Sequence, residues 1–284
     1  MPELPEVETI KRGLNKFIIQ QKIKKVTVNC EKSFIGPVEL VEGAKIVGVR
    51  RRGKCLLVDL SNDITMMIHL RMTGQVIYRA LRGADFAGGH PTDSFFTELP
   101  NKQTRVILKL SEGTLYFNDQ RKFGFLKVLP SDEVEQDKFI ASLGAEPWEM
   151  NAEEFYQKLQ RHAKAPIKAV ILDQKVMAGV GNIYADEALF EIKVHPKTLA
   201  GKLSKKQAKD LVRAAAKVMD ASINAGGSTM ATYLKADGTK GDYLEKFAQV
   251  FHREGQECKR CGAEIIKIRV AGRGTHICPE CQKC

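Results

Sequence analysis

The sequence predicts an α+β protein with two domains: an N-terminal part rich in β-strands, and a helical part that ends in a metal-bound β-hairpin. Its 284 residues favour two domains over one. From residue 22 to residue 128, short runs rich in Val, Ile and Leu are separated by turn residues, which is typical of an antiparallel sandwich or barrel. From residue 151 to residue 223, apolar residues recur at helical spacing, and two Cys-x-x-Cys pairs follow near the C-terminus.

The N-terminal residues Met1–Glu8, MPELPEVE, hold a candidate nucleophile. Removal of the initiator methionine, which a following proline permits, leaves Pro2 with a free secondary amine. An α-amino group titrates near ~8, so a useful fraction of this amine is unprotonated at neutral pH. Such an amine attacks carbonyl-like carbons and forms an iminium, which cannot lose its charge by deprotonation. Glu3 follows directly, and Glu6 lies one helical turn further along.

The same stretch also fits the start of an ordinary helix. Apolar residues at positions 7, 10, 14, 17 and 18 predict a helix from Pro5 to Ile19. Proline and acidic residues both favour a helix N-terminus. Composition alone therefore leaves a structural and a catalytic interpretation open.

The β-rich part is predicted to contain eight strands and one long loop. The strands are Lys22–Val28, Lys45–Arg51, Lys54–Leu60, Ile64–Leu70, Gln75–Tyr78, Arg105–Leu110, Thr114–Asn118 and Phe123–Leu129. Residues Arg79–Lys102 contain several Gly and Pro without a clear period and are expected to form a long surface loop. Three other segments combine basic and apolar residues at turns: Arg50–Lys54, His69–Gly74 and Asp119–Gly124. A solvated turn or core packing also explains each of them.

Four helices are predicted in the second part. They cover residues 151–162, with Asn151 as the N-cap, 166–177, 183–192, and a segment that begins with a capping box at Ser204 and ends at Gly226. The glycine turn at residues 178–182 permits backbone N–H groups to approach an anion at the positive end of the next helix, although a helix C-cap explains it equally well. The polar residues 226–247 are expected to form a loop or linker.

The cysteines give the most specific local signal. Sixteen residues separate two Cys-x-x-Cys pairs, Cys258 with Cys261 and Cys278 with Cys281. Four thiolates at this spacing predict one structural, tetrahedral zinc site. Because the protein supplies all four ligands, no catalytic role is assigned to the metal. The residues between the pairs predict a hairpin whose tip carries Arg273, a candidate for a DNA groove or for simple solvation.

Composition restricts the class of partner. The net charge of +11 favours a polyanion, with nucleic acid ahead of an anionic membrane surface. No apolar run is long enough to span a membrane, and the acidic, proline-rich start does not fit a signal peptide. A cytoplasmic location without disulfides is therefore expected, with Cys30 and Cys55 as packing residues and Cys284 unassigned.

Taken together, the motifs resemble those of formamidopyrimidine-DNA glycosylase, the bacterial repair enzyme family for oxidised purines. The resemblance covers the whole chain. It rests on PELPEVE at 2–8, RRGK at 51–54, HLRMTG at 69–74, RKFG at 121–124, GVGNIYADEALF at 179–190, GGST at 226–229 and AGRGTHICPECQK at 271–283. It implies a β-sandwich with an N-terminal helix, then a helix-two-turn-helix module and a zinc-finger hairpin, with DNA in the cleft between the domains. The implied boundaries are 1–132 for the catalytic domain, 133–150 for a linker, 151–247 for the helical domain and 248–284 for the zinc finger.

The resemblance also implies residue roles. Pro2 corresponds to the nucleophile on C1′ of the damaged nucleotide, Glu3 to the acid that opens the sugar ring, and Glu6 to a supporting carboxylate. Lys54 corresponds to a basic residue on the phosphate beside the lesion. The residues that fill the gap left by the extruded base correspond to Met72, Arg121 and Phe123, and those that contact phosphates correspond to Lys168, Asn182 and Arg273. Residues 228–242 correspond to a loop over the flipped base.

The implied activity is excision of 8-oxoguanine and formamidopyrimidines from double-stranded DNA, followed by strand cleavage through β,δ-elimination, by a monomer with one zinc ion. The sequence departs from the common family pattern at Thr73, Gln103–Arg105 and Phe251–His252. These departures bear on the substrate preference and not on the reaction. Two alternatives remain: an oxidised-pyrimidine glycosylase of the endonuclease VIII group, and a zinc-ribbon DNA-binding protein without catalysis. The former group typically begins PEGPE, so Leu4 favours the purine branch.

Overall fold

The structure is a computed structural model that describes residues 2–90, 92–227 and 243–283. These residues form two compact units. The first contains the described residues up to Ala141, together with Gly226 and Gly227. The second contains residues Ser142 to Ala225 and the described residues from Tyr243 onward.

The first unit is a β-sandwich with one long helix. Helix α1 covers Leu4–Phe17, and a single turn, α2, covers Lys138–Ala141. The described strands are β1 Ile23–Val28, β2 Phe34–Ile35, β3 Ile46–Arg52, β4 Cys55–Leu60, β5 Ile64–His69, β6 Gly74–Ala80, β7 Phe86–Gly89, β8 Thr104–Leu110, β9 Gly113–Asp119 and β10 Phe125–Pro130. They form two five-stranded sheets, in the orders β1-β8-β9-β6-β7 and β2-β10-β5-β4-β3. All described strand pairs in these sheets are antiparallel except the short β2–β10 pair.

One apolar core joins the two sheets and α1. Alternate residues of the strands enter it, such as Val76 and Phe117 from one sheet and Leu56 and Ile68 from the other. Helix α1 adds the stripe Val7, Ile10, Leu14 that its 3.6-residue period places on one face. The predicted sandwich and N-terminal helix are therefore confirmed, and all eight predicted strands are present with ends shifted by two residues or fewer.

The predicted long loop at Arg79–Lys102 is interrupted by regular structure in three places. Strand β6 continues to Ala80, and β7 then pairs with it in register from Gln75↔Gly89 to Tyr78↔Phe86. A turn of 3₁₀ helix at Asp93–Phe95 follows, and Phe95 is buried with Ile77 and Ala87. The segment thus extends the sheet and covers its outer face.

Glycines explain both why β7 forms here and why its sequence does not resemble a strand. Gly88 lies against α1 so closely that an added Cβ would sit 2.5 Å from Ile10 Cγ1. Gly89 has φ +124°, and a Cβ there would sit 2.4 Å from the carbonyl oxygen of Gly74. Larger residues with higher strand propensity do not fit at either position.

The second unit is helical and ends in a hairpin. Its helices are α3 Ala152–Arg161, α4 Ile167–Leu172, α5 Asn182–Glu191, α6 Lys205–Asn224 and α7 Tyr243–Lys246, and its strands are β11 Ile266–Val270 and β12 Arg273–Ile277. The Asn151 cap and the Ser204 capping box are both present. The second predicted helix ends at Leu172 instead of Met177, because Asp173 accepts the N–H of Lys175 and starts a turn.

Candidate functional site

The N-terminus of α1 holds the first group of predicted site residues. Glu3 is the N-cap of the helix and forms a capping box with Glu6. Glu6 Oε2 accepts the backbone N–H of Glu3 at 2.8 Å. Pro2, Glu3 and Glu6 are all buried, with Glu3 3% exposed. This pairing fixes the backbone immediately after Pro2, so the structure brings the three predicted N-terminal residues together.

Glu8 anchors this end of α1 to the sheet, a role that its sequence context did not reveal. Its carboxylate bonds Lys11 at 2.8 Å and Arg12 at 3.1 Å on the helix, and Arg51 Nε of β3 at 3.1 Å. Burial opposes ionisation of Glu8, but the hydrogen bonds from Lys11 and Arg51 outweigh it and lower the pKa of the carboxyl. A salt bridge between non-adjacent elements has no signature in a single sequence.

Lys54 and His69 lie at the ends of β4 and β5. Both are buried, Lys54 at 5% and His69 at 6% exposure. Burial, together with the positive charges of Arg71 and Lys54, lowers the pKa of His69 to about 3. Its Nδ1 accepts the backbone N–H of Arg71 at 3.0 Å, and its ring packs against Phe125 and Phe139. His69 is therefore a neutral N–H donor at physiological pH, with the proton on Nε2.

The three residues predicted to replace the extruded base lie at strand ends of the first unit. Phe123 is 56% exposed, Arg121 is exposed and Met72 is partly exposed. The Arg121 guanidinium lies 4.9 Å from the centre of the Phe123 ring. An exposed ring of this size is not a core residue, and its stacking with a planar cation suits contact with bases. Asp119 is fully buried beneath this turn and was not identified from the sequence.

Lys168, which is predicted to contact a phosphate, lies inside the second unit. Its side chain is 0% exposed, and Nζ bonds Asp186 Oδ1 at 2.6 Å and Thr275 Oγ1 at 2.7 Å. Nζ also donates to the carbonyl oxygen of Gly274 at 3.2 Å. The sequence could show that a lysine occupies this position, but not that a buried carboxylate of α5 neutralises it. Lys168 therefore connects α4, α5 and the hairpin inside the second unit.

Asn182 and Arg273 remain candidates for phosphate contacts. Asn182 Nδ2 donates to the carbonyl oxygen of Gly274 at 3.0 Å, beside Arg273. Arg273 is exposed next to the two-residue turn Ala271–Gly272, which has positive φ at both positions, as a type I′ hairpin requires. In the preceding glycine turn, the N–H of Gly179 donates to Gln174 Oε1 at 3.0 Å, so this N–H supports the turn itself.

Two adjacent acidic residues of α5 hold the hairpin and the segment that precedes the zinc ligands. Asp186 accepts the backbone N–H of His276 in β12 at 2.9 Å. Glu187 accepts three successive backbone N–H groups, from Gln249, Val250 and Phe251, at 2.8–2.9 Å. Burial raises the pKa of Glu187, and these hydrogen bonds oppose that shift. The sequence motif contains both residues, but nothing in their spacing indicates their partners.

The four predicted zinc ligands are assembled at the base of the hairpin. The Sγ atoms of Cys258, Cys261, Cys278 and Cys281 all lie within 4.8 Å of one another. A tetrahedron with Zn–S bonds of about 2.3 Å separates its sulfurs by about 3.8 Å, so the cluster fits zinc. Burial and hydrogen bonds to Cys261 and Cys278 raise the pKa of the Cys281 thiol to about 12, and a bound cation would favour the thiolate form of this ligand. Zinc holds the hairpin here as a structural ion.

Three family models match the chain in succession. They are the formamidopyrimidine-DNA glycosylase N-terminal domain at residues 1–126, the formamidopyrimidine-DNA glycosylase H2TH domain at 143–233, and a zinc finger found in FPG and IleRS at 255–283. With the sandwich, the helical module and the four-cysteine hairpin, they define a DNA glycosylase of base excision repair. Within the described residues, no helix is both long and apolar enough to cross a membrane.

Individual relatives agree over their full lengths. The chain is 39% identical over 292 residues to the formamidopyrimidine-DNA glycosylase of Desulfitobacterium hafniense, covering 99% of this chain and 100% of that one. It is 40% identical over 290 residues to that of Pelotomaculum thermopropionicum, covering 100% and 99%. A structure of Lactococcus lactis Fpg with abasic-site DNA matches with a TM-score of 0.87 at 34% identity, covering 100% of both chains. The chain belongs to the formamidopyrimidine-DNA glycosylase family.

Proposed function

We propose that this chain removes oxidised purines from double-stranded DNA and then cleaves the strand at the resulting abasic site, with Pro2 as the nucleophile. The observation that carries the proposal is the fixed start of α1. There the capping box holds Glu3 and Glu6 directly after Pro2. Rigid support of this kind is what a terminal amine needs to meet a reacting carbon in one orientation.

The residues at the helix start suffice for both chemical steps. The unprotonated Pro2 nitrogen attacks C1′, Glu3 protonates the sugar ring oxygen, and the bond to the damaged base breaks. The resulting iminium acidifies the neighbouring sugar protons. The Glu3 carboxylate that ring opening leaves can accept such a proton, so the 3′ phosphate and then the 5′ phosphate leave by elimination. Glu6 supports this arrangement by holding the backbone N–H of Glu3.

DNA contact is assigned to residues of both units. The phosphate contacts are assigned to Lys54, Lys168, Asn182 and Arg273. The space of the extruded base is filled by Met72, Arg121 and Phe123. Base extrusion itself costs a few kcal/mol, which the inserted side chains offset. The loop assigned to the flipped base, residues 228–242, lies outside the described residues.

The finer assignments belong to the same proposal. The enzyme acts as a monomer in the cytoplasm. Its catalytic domain covers 1–132, its linker 133–150, its helical domain 151–247 and its zinc finger 248–284. The match to Lactococcus lactis Fpg in complexes with abasic-site DNA and with Fapy-dG DNA supports double-stranded, damaged DNA as the partner.

Borohydride trapping tests the nucleophile. The protein with Met1 removed should form a covalent adduct with a duplex that contains 8-oxoguanine, and peptide mapping should place the adduct on Pro2. A protein that retains Met1 or carries an N-terminal tag should not be trapped. Glu3→Gln should bind the duplex but leave the intact lesion in place. Normal trapping of the tagged protein would assign the chemistry to a lysine and overturn the proposal.

A comparison of two duplexes separates the alternatives. One contains 8-oxoguanine opposite cytosine, and the other contains thymine glycol. Faster cleavage of the first supports the purine specificity indicated by Leu4. Faster cleavage of the second would assign the enzyme to the oxidised-pyrimidine branch. Binding of both without cleavage would leave a zinc-finger DNA-binding protein.

A further inference from the structure

The Asp119 carboxylate is the centre of a hydrogen-bond cluster beneath the turn that carries Arg121 and Phe123. Its Oδ2 accepts the backbone N–H groups of Phe123 at 2.8 Å and Gly124 at 2.7 Å. Its Oδ1 accepts the backbone N–H of Arg121 at 3.1 Å. The residue is 0% exposed, and a buried carboxylate is tolerated only when such donors satisfy it.

These bonds determine the path of the turn. Lys122, between the two exposed side chains, has φ +57°, a left-handed conformation that lysine rarely adopts. Gly124 has no room for a side chain, because a Cβ there would sit 2.7 Å from Phe117 Cζ. Asp119 therefore stabilises a backbone conformation that the turn residues do not favour by themselves.

Thr73 connects this turn to the segment that carries Met72. The Thr73 hydroxyl donates to Asp119 Oδ1 and accepts the backbone N–H of Arg121 at 3.1 Å. Since Met72 directly precedes Thr73, one hydroxyl joins two segments that are 48 residues apart in the chain. Arg105 adds a further support, because its Nε donates to the carbonyl oxygen of Asp119 at 2.7 Å.

We propose that Thr73 and Asp119 are positioning residues that hold Met72, Arg121 and Phe123 as one rigid unit for insertion into the base stack. The inference rests on the proposed function and extends it to how the inserting residues are held. Neither Thr73 nor Asp119 is assigned a contact with the reacting atoms. Three side chains that enter one gap must keep their mutual spacing, and the two residues provide this through a shared oxygen, Oδ1 of Asp119.

Thr73→Val is the sharpest test, because it removes the hydroxyl and keeps the shape of the side chain. Asp119 then retains its three backbone donors, so the turn should still fold. Thr73→Ser restores the hydroxyl. Thr114→Val is the matched control, since Thr114 is partly exposed on β9 and its hydroxyl makes no hydrogen bond within the described residues.

The variants are compared in single-turnover excision of 8-oxoguanine from a duplex and in strand cleavage at a preformed abasic site in the same duplex. Thr73→Val should slow excision by about tenfold or more, as small displacements of positioned groups do, and leave abasic-site cleavage nearly unchanged. Thr73→Ser and Thr114→Val should both match the wild type. A 2-aminopurine opposite the lesion should show slower unstacking only in Thr73→Val.

A double-mutant cycle decides whether Thr73 acts through the inserting side chains. If it does, adding Thr73→Val to Phe123→Ala should slow excision far less than it does in the wild type. Independent, multiplicative effects would overturn the inference, as would equal losses on both substrates. A wild type inactive on both substrates would instead contradict the proposed function.

Discussion

Lys168 and Arg273 are two cations of the second unit in opposite surroundings. Lys168 has no exposed surface and pairs with Asp186, whereas Arg273 is exposed beside the hairpin turn. A buried charge is stabilised by its partner and leaves that partner uncompensated when it is removed. An exposed charge costs little to remove. The two residues should therefore respond differently to the same substitution.

Lys168→Ala is predicted to destabilise the second unit. It leaves the buried Asp186 carboxylate without its cation, which costs about 3–5 kcal/mol for pairs of this kind. Urea unfolding monitored separately for the two units measures the loss. Arg273→Ala is the control and should unfold at the wild-type urea concentration. A Lys168→Ala protein that is fully stable but binds DNA more weakly would instead support a direct contact between Lys168 and a phosphate.

Phe123→Ala is predicted to leave stability unchanged while impairing excision. A buried phenylalanine would cost about 3–5 kcal/mol on truncation, but this ring is 56% exposed. The melting temperature should therefore stay close to that of the wild type. Excision from duplex DNA should slow far more than cleavage at a preformed abasic site, where no base has to be expelled. A large drop in melting temperature with equal losses on both substrates would identify Phe123 as a core residue.

His69 should make the first unit less stable in acid. Its folded pKa of about 3 lies below the ordinary value of 6.5, so the unfolded chain binds an extra proton between these two pH values. The stabilisation from neutral His69 is complete above about pH 6.5 and is lost progressively as the pH falls towards 3. His69→Asn should flatten the dependence of melting temperature on pH in this window. An unchanged slope in the variant would show that other groups control acid unfolding.

At the scale of elements, local pattern predicts most of the strands and helix starts. Short runs rich in Val, Ile and Leu between turn residues identify β1, β3, β4 and β5, and side-chain capping identifies the starts of α3 and α6. Strand β7 was not predicted because glycine has a low strand propensity. Its glycines are needed here because α1 and β6 approach its backbone closely. The two-residue strand β2 is too short for any alternation to be visible.

In the zinc hairpin too, local sequence predicts some features, whereas contacts between distant residues are not predicted. Cysteine spacing predicts all four ligands, because tetrahedral zinc coordination requires cysteines at characteristic short spacings. Asp186 attaches the hairpin to α5, and Glu187 attaches the segment before the zinc ligands. Neither contact could be predicted, since both depend on backbone N–H groups about 60 to 90 residues away.

Loss of zinc is therefore predicted to unfold the hairpin while the sandwich stays folded. Cys261→Ser should contain no zinc, whereas the wild type should contain one ion per chain. Structural zinc contributes roughly 10–16 kcal/mol of apparent binding energy in small fingers, more than the short strands β11 and β12 can replace. DNA binding should fail, and amide exchange should rise in the hairpin but not in β4 or β9. A metal-free protein with full activity would contradict this assignment.

For the whole molecule, the net charge of +11 indicates a polyanionic partner but does not locate its contacts. Sequence motifs place the candidate DNA-binding residues in both units, and the structure then shows which of them are buried and which are exposed. Lys168 is fully buried and pairs with the Asp186 carboxylate of its own unit, whereas Arg273 is exposed. Which cations face DNA thus depends on tertiary structure, and a count of basic residues overestimates them.

Salt dependence distinguishes the cations that meet phosphates. Each phosphate that the protein neutralises adds about −0.9 to the slope of log K against log salt concentration. Arg273→Ala should therefore reduce the steepness of this slope by about one unit, measured by fluorescence anisotropy on an abasic-site analogue duplex. Arg82→Ala removes another arginine that is exposed, in the first unit, and is the control for the loss of net charge alone. It should weaken binding slightly and leave the slope within a few tenths of the wild type. Equal slopes for the wild type and Arg273→Ala would remove Arg273 from the phosphate contacts and leave the hairpin without a direct role in binding.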